Sequence, residues 1–215
     1  MSLIVNEIFY SIQGESSYAG RPCVFVRLTG CNLRCSYCDT QYAYDHGDEL
    51  DIRDILDRVA SYECRLVEVT GGEPLMQKGT LTLIYNLLEN GYEVLLETNG
   101  SLDTSKIDER CVKIIDLKCP SSGEKERSHF GNLSRLTEKD EIKFVIGDRE
   151  DYVYARGILD LIRRDSHTRH IIHFSPVYGK MAPKTLAKWV LEDHLDIVLS
   201  LQLHKIIWGA EKRGV

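Results

Sequence analysis

The sequence predicts an α/β fold built on a mostly parallel sheet. Short β-branched runs alternate along the chain with segments whose apolar residues recur on one helical face. No internal repeat, heptad array or low-complexity linker interrupts the alternation. Strands joined by crossover helices run parallel with right-handed connections. About six or seven such strands suit a partial barrel as well as an open doubly wound sheet, and periodicity does not choose between them. The 215 residues are enough for one domain with a sizeable core.

Taken in order, Leu3 to Tyr10 reads as an edge strand and Ser11 to Arg21 as a polar loop. Cys23-Val24-Phe25-Val26-Arg27-Leu28 is β-branched and apolar, a buried strand. Asp51 to Glu63 sets Ile52, Ile55, Leu56 and Val59 on one helical stripe. Leu66 to Thr70 is a strand, and Gly79 to Asn90 a helix with Gly91 where a left-handed cap belongs. Glu93 to Thr98 and Val112 to Asp116 are strands. Pro120 to Thr137 is polar and aperiodic, either a long ordered loop or a locally mobile one that could act as a lid. Glu141 to Ile146 is a strand, Asp148 to Arg164 a helix and His170 to Phe174 a strand. Pro183 to Asp193 is a helix opened by its proline, and Ile197 to Leu201 a last strand.

The net charge of −6 argues against a general affinity for nucleic acid or an anionic membrane. No signal peptide or membrane span is expected from the apolar runs. Seven cysteines are present, and three of them fall within Gly30-Cys31-Asn32-Leu33-Arg34-Cys35-Ser36-Tyr37-Cys38-Asp39-Thr40. Such a group in a chain without secretory features suggests metal rather than disulfides, and hence a reducing cytoplasm. A loop spaced Cys-x3-Cys-x2-Cys can offer three sulfurs to one inorganic centre. A structural zinc normally takes four ligands, so the simpler reading is a four-iron cluster with one iron open; a zinc loop is the alternative.

The pattern, with Tyr37 just before the last cysteine, resembles the radical SAM superfamily. That resemblance implies a partial (β/α)6-type barrel with the cluster loop after the first core strand, a 4Fe-4S cluster on Cys31, Cys35 and Cys38, and S-adenosylmethionine on its open iron. In a barrel or a doubly wound sheet alike, the site gathers at the C-terminal ends of the strands. Thr70-Gly71-Gly72-Glu73-Pro74 follows one strand; in the superfamily a Gly-Gly-Glu-Pro stretch receives the amino group of the methionine moiety, here through Gly72 and Glu73. Glu97-Thr98-Asn99-Gly100 ends the next strand, where Asn99 is a candidate for the cofactor or simply part of a turn. Asp116-Leu117-Lys118 ends another, as cofactor contacts or as a rim ion pair. Tyr37 and Asp39 complete the implied cofactor set. His173 is a weaker candidate, with a satisfied core histidine as the plainer reading.

Two further segments narrow the resemblance. Glu7-Ile8-Phe9-Tyr10-Ser11-Ile12-Gln13-Gly14-Glu15 and Gln202-Leu203-His204-Lys205, with Arg27 and the Asp39-Thr40 end of the cluster loop, are similar to the 7-carboxy-7-deazaguanine synthase family. This covers nearly the whole chain, as a single domain of residues 1–215 with an N-terminal substrate loop (1–21), a cluster loop (29–50) and a C-terminal closing segment (202–215). The one visible departure is Ser16, where glycine is expected. The resemblance implies a lyase that turns 6-carboxy-5,6,7,8-tetrahydropterin into 7-carboxy-7-deazaguanine and ammonia by hydrogen abstraction and ring contraction, in queuosine-type deazapurine biosynthesis. It implies Mg2+ on Thr40, the substrate carboxylate on Arg27, and the pterin on Ile12, Gln13, Gly14, Glu15, Thr70, Gln202 and His204. A one-electron donor such as flavodoxin or ferredoxin and a homodimer are expected as partners. A radical SAM activase that places a glycyl radical on a partner protein, or a non-catalytic zinc-binding domain, are the alternatives.

Overall fold

The computed structural model describes residues 1–165 and 170–215. Its sheet has nine strands: β1 (Ser2–Ile12), β2 (Pro22–Leu28), β3 (Asp48–Asp51), β4 (Leu66–Gly71), β5 (Glu93–Thr98), β6 (Val112–Leu117), β7 (Glu141–Ile146), β8 (Ile171–Pro176) and β9 (Val198–Leu199). Their order is β3-β1-β2-β4-β5-β6-β7-β8-β9. From β2 through β9 every neighbouring pair is parallel, while β1 pairs antiparallel with both β2 and β3. The expected parallel α/β core is therefore present, with an antiparallel extension on one side.

Among the described residues five helices accompany it: α1 (Ile52–Ala60), α2 (Thr80–Glu89), α3 (Arg149–Asp165), α4 (Pro183–Glu192) and α5 (Leu203–Trp208). Side chains alternate across a strand, and here the two faces divide cleanly. On one face Val24, Val26, Val67, Val69, Val94 and Leu96 pack under Ile55 and Val59 of α1 and Leu83, Ile84 and Leu87 of α2. Further along, Ile115, Ile142, Phe144 and Phe174 pack under Tyr152, Ala155 and Leu159 of α3 and Leu186 and Val190 of α4. The other face is covered by none of α1 to α4. Its N-terminal end holds a small apolar layer of Cys23, Phe25, Leu66, Leu95, Val112 and Ile114, and above that layer it turns polar.

Two expectations need correction, and a third segment takes one of the two forms expected of it. The first strand is not an edge: β3 pairs outside it, Leu50 opposite Leu3. Asp48-Glu49-Leu50-Asp51 has no strand pattern of its own and is strand only because β1 supplies a partner. The last strand shrinks to two residues, and the chain then forms α5, a helix too short to show periodicity. Residues 120–137 form an ordered loop of three 3-10 turns. Asn132, 1% exposed, pins it by accepting from Thr104 N and donating to the carbonyls of Gly100 and Leu102. No helix among the described residues is long and apolar enough to cross a membrane.

One buried ion pair braces the β6–β7 crossover. Lys113 Nζ lies 2.9 Å from Asp140 Oδ2, with side-chain exposures of 5% and 0%. Asp140 also accepts from Lys113 N at 2.8 Å and from Thr137 N at 2.8 Å. Removing one member leaves the other charge buried alone, at about 3–5 kcal/mol. Asp140→Ala is therefore expected to lower the melting temperature by about 10 °C, read by thermal denaturation.

Candidate active site

The uncovered face of the sheet opens into a cavity of about 780 Å3, within the range of small-molecule sites. Alternate strand residues line it: Glu7 and Phe9 of β1, Phe25 and Arg27 of β2, Glu68 and Thr70 of β4, Glu97 of β5, Ile114 and Asp116 of β6, and Lys143 and Val145 of β7. The loop after β2 forms one wall, the loop after β1 enters from the opposite end, and α5 with residues 210–215 closes the side. The C-terminal ends of the strands thus meet the cluster loop, as a parallel sheet requires.

Cys31, Cys35 and Cys38 are half-buried and share this wall. The backbone N–H of Leu33 and the side-chain amide of Asn99 both point at Cys31 Sγ, at 3.4 and 3.9 Å, donors that suit a thiolate. Burial pushes the Cys35 thiol up to about 11. Among the described residues no three His, Cys, Asp or Glu side chains converge so as to hold a single metal ion. Three free thiols on one cavity wall are the donor type that an iron–sulfur centre takes.

Beside them two buried polar atoms have no protein hydrogen-bond partner among the described residues: the Tyr37 hydroxyl and Asp116 Oδ1. Buried polar groups are rarely left so, and both line the cavity. They fit a polar ligand such as a nucleoside methionine next to the thiols. Lys118 Nζ holds the other Asp116 oxygen at 2.8 Å, which orients the free one. At Gly72 the backbone packs against the start of the thiol loop: a Cβ there would meet Gly30 O at 2.2 Å and Cys31 Cβ at 2.8 Å. Glu73 and Leu117 stand behind the wall rather than on it. Glu73 is fully buried and accepts from Leu75 N at 3.0 Å, Thr98 Oγ1 at 2.8 Å and Asn99 N at 2.7 Å. Leu117 packs into the helix-covered core.

The other half of the cavity gathers the expected substrate residues. Arg27 donates through Nε to Glu7 Oε1 at 2.7 Å and lies between the rings of Phe9 and Tyr42. Its two terminal nitrogens make no other protein hydrogen bond among the described residues, leaving a fork for a carboxylate. Gln13 donates to Glu68 and accepts from Glu15 N. Gly14 is packed so closely that a Cβ would lie 2.1 Å from His204 Nδ1, and Gly14 O accepts from Leu203 N at 2.9 Å. Gln202 Nε2 reaches Glu15 Oε1 at 2.9 Å. Ile12 and Thr70 line the same space. Thr40 donates to Asp39 Oδ1 at 2.9 Å, and Asp39 Oδ2 lies 2.5 Å from Lys205 Nζ. Ser16 has φ of 59°, the left-handed region that explains why glycine is expected there.

His173 is 1% exposed, 2.9 Å from Glu141 Oε2, and off the cavity wall. Several wall residues escape sequence reasoning. Glu68 and Lys143 sit mid-strand and Glu7 in the first strand, where a single charge reads as a solvent-facing position. Only their alternation with apolar neighbours hints at a polar inner face. Gly72→Ala is expected to displace the cluster loop, so that anaerobic reconstitution with iron and sulfide gives less than about half the iron of the unaltered protein.

The radical SAM superfamily model matches residues 25–121. A 7-carboxy-7-deazaguanine synthase of Koribacter versatilis is 44% identical, covering 98% of this chain and 99% of its own. One from Chlorobaculum tepidum is 44% identical, covering 99% and 97%. A crystal structure of QueE from Escherichia coli superposes with a TM-score of 0.76 at 23% identity, covering 95% of both chains, and attests the fold. Neither the activase nor the zinc-domain alternative is favoured by these relatives. Identity at this level along the full length decides the assignment: the chain belongs to the 7-carboxy-7-deazaguanine synthase family of the radical SAM superfamily.

Proposed function

We propose that the chain converts 6-carboxy-5,6,7,8-tetrahydropterin to 7-carboxy-7-deazaguanine and ammonia. The observation that carries this is a single cavity with three thiols at one end and, at the other, an arginine fork beside a set of amide and carboxylate groups. When bound, a 4Fe-4S cluster and S-adenosylmethionine supply the one-electron hydrogen abstraction that starts the ring contraction. Cys31, Cys35 and Cys38 would hold the cluster. Tyr37, Asp39, Gly72, Asn99, Asp116 and Lys118 would line the cofactor, with Glu73 and Leu117 setting the strand ends behind them.

Arg27 would take the substrate carboxylate on its fork, pre-oriented by Glu7 and the two flanking rings. Ile12, Gln13, Gly14 and Glu15 would meet the edge of the heterocycle, with Thr70, Gln202 and His204 at its sides. Thr40 would give one oxygen to Mg2+, whose remaining ligands come from water and substrate. α5 and residues 210–215 keep bulk water away from a reactive intermediate. A cytoplasmic setting, a flavodoxin- or ferredoxin-like electron donor and a homodimer complete the proposal.

The test is anaerobic incubation of reconstituted, reduced protein with the carboxytetrahydropterin and S-adenosylmethionine. The deazaguanine acid and ammonia are expected, with the cofactor recovered; neither product would reject the reading. Arg27→Lys loses the fork and is expected to raise KM roughly 10–100-fold. Chelating divalent cations is expected to slow turnover about tenfold or more, with Mg2+ restoring it.

A further inference from the structure

The cavity floor holds a buried charge cluster of which the reading above uses Glu15 alone. Glu68 of β4, Glu97 of β5 and Lys143 of β7 all lie on the uncovered face, and the loop after β1 brings Glu15 against them. Lys143 Nζ is 2.5 Å from Glu15 Oε2 and 2.6 Å from Glu97 Oε1, with its side chain 8% exposed. An ammonium this deep is costly unless paired. One partner comes from the rigid sheet and the other from the loop that faces the ligand space. Glu15 Oε1 is held in turn by Gln202 Nε2 at 2.9 Å. Each Glu15 oxygen therefore has one protein donor that fixes it and a further lone pair to offer.

The two neighbouring carboxyls are driven in opposite directions. Burial would raise Glu15, but the Lys143 ammonium outweighs it and holds the group down at about 2. Glu68 is pushed well up by burial and by Glu97 and Glu15. The floor thus sets an ionised carboxylate beside a carboxyl that favours its proton.

We propose that Lys143 is a positioning residue that gives the site its preference for a 2-amino-4-oxopyrimidine edge, by holding Glu15 as an oriented carboxylate with two acceptors for the exocyclic amino group and the adjacent ring N–H. This rests on the pterin reading of the substrate. A 2,4-dioxo edge turns an oxygen lone pair toward that carboxylate and is rejected. Sites built to receive a hydrogen bond discriminate strongly against analogues that lack the donor.

With Lys143 neutralised, Glu15 keeps its burial and the nearby Glu97 and Glu68, which favour its protonated form. His204, on α5, opposes them weakly, because burial lowers its own pKa. Arg27 and Asp116 act from farther along the wall. The acceptor pair is then lost at low pH and recovered as pH rises.

The experiment measures binding of pterin-6-carboxylate and its 2-oxo counterpart, lumazine-6-carboxylate, to reconstituted protein with S-adenosylmethionine, from about pH 5.5 to about pH 7.5. Unaltered protein is expected to prefer the pterin about a hundredfold, with little pH dependence. Lys143→Gln reduces the preference to below about tenfold at the acid end and regains it as pH rises. Lys143→Arg retains it, and Glu15→Gln loses it at every pH. Thermal melting and iron content of each variant show that it is folded, and Glu15→Gln decides the matter if Lys143→Gln does not fold. An unchanged preference in Lys143→Gln, or in Glu15→Gln, overturns the inference while leaving the substrate reading intact. Failure of the unaltered protein to bind the pterin overturns the substrate reading and, with it, the role of Lys143.

Discussion

The site depends on one buried carboxyl. Glu73 is closed off from solvent, and three strand ends converge on it. Its own N–H donates to Gly30 O at 2.7 Å, tying the segment after β4 to the start of the cluster loop after β2. Its side chain accepts from Thr98 and Asn99 at the end of β5. Burial pushes its carboxyl upward, opposed by those same hydrogen bonds. A carboxyl in such a place is tolerated only while its partners stay fixed. Asn99, oriented this way, reaches Asn32 Oδ1 at 3.1 Å and Cys31 Sγ at 3.9 Å. The position of the first thiol is thus set by a residue that does not itself line the cavity.

The sheet supports this arrangement by a division of labour between its faces. Valine, isoleucine and leucine at one parity of each strand pack under four helices, where burial at roughly 25 cal/mol per Å2 holds the layers together. Residues of the opposite parity are free to be charged because none of those four helices covers them. That freedom has a limit at the N-terminal end, where an apolar layer of Phe25, Leu66, Leu95 and Ile114 closes the bottom. The polar tier begins directly above it with Glu68, Glu97 and Lys143. A one-residue register slip in any of these strands would exchange the two sets, so core and site are specified by the same pairing.

What could be read in advance follows from how local each signal is. The parallel strands announce themselves because β-branched and apolar residues fill their helix-covered face, and the thiol loop because its cysteines lie close together in sequence. β3 was not legible: Asp48, Glu49 and Asp51 carry no strand preference and gain it from β1. α5 was not legible because six residues hold too few turns for a periodic stripe. Glu73 was legible as part of a strand-end motif, but its burial, and hence its structural work, depends on residues about 25 and 43 positions away, Thr98 and Gly30. Lys143 and Glu68 were hidden for a related reason. A charged residue inside a strand reads as solvent-facing until the sheet is seen to curve around a cavity.

The loop after β1 also orders events in time. Ser17 N donates to Glu141 at 3.1 Å across 124 residues of sequence, and Glu15 closes on Lys143 two positions further along the same strand. These contacts belong to a segment made well before β7, yet they cannot form until β7 has been made and docked. Pairings so distant in sequence close late because their loop entropy is lost before any contact compensates it. The loop that completes the pocket floor is therefore made before its partners and set in place near the end of folding. A nascent chain that stalls before β7 carries its cysteine loop but has nowhere for a heterocycle to rest.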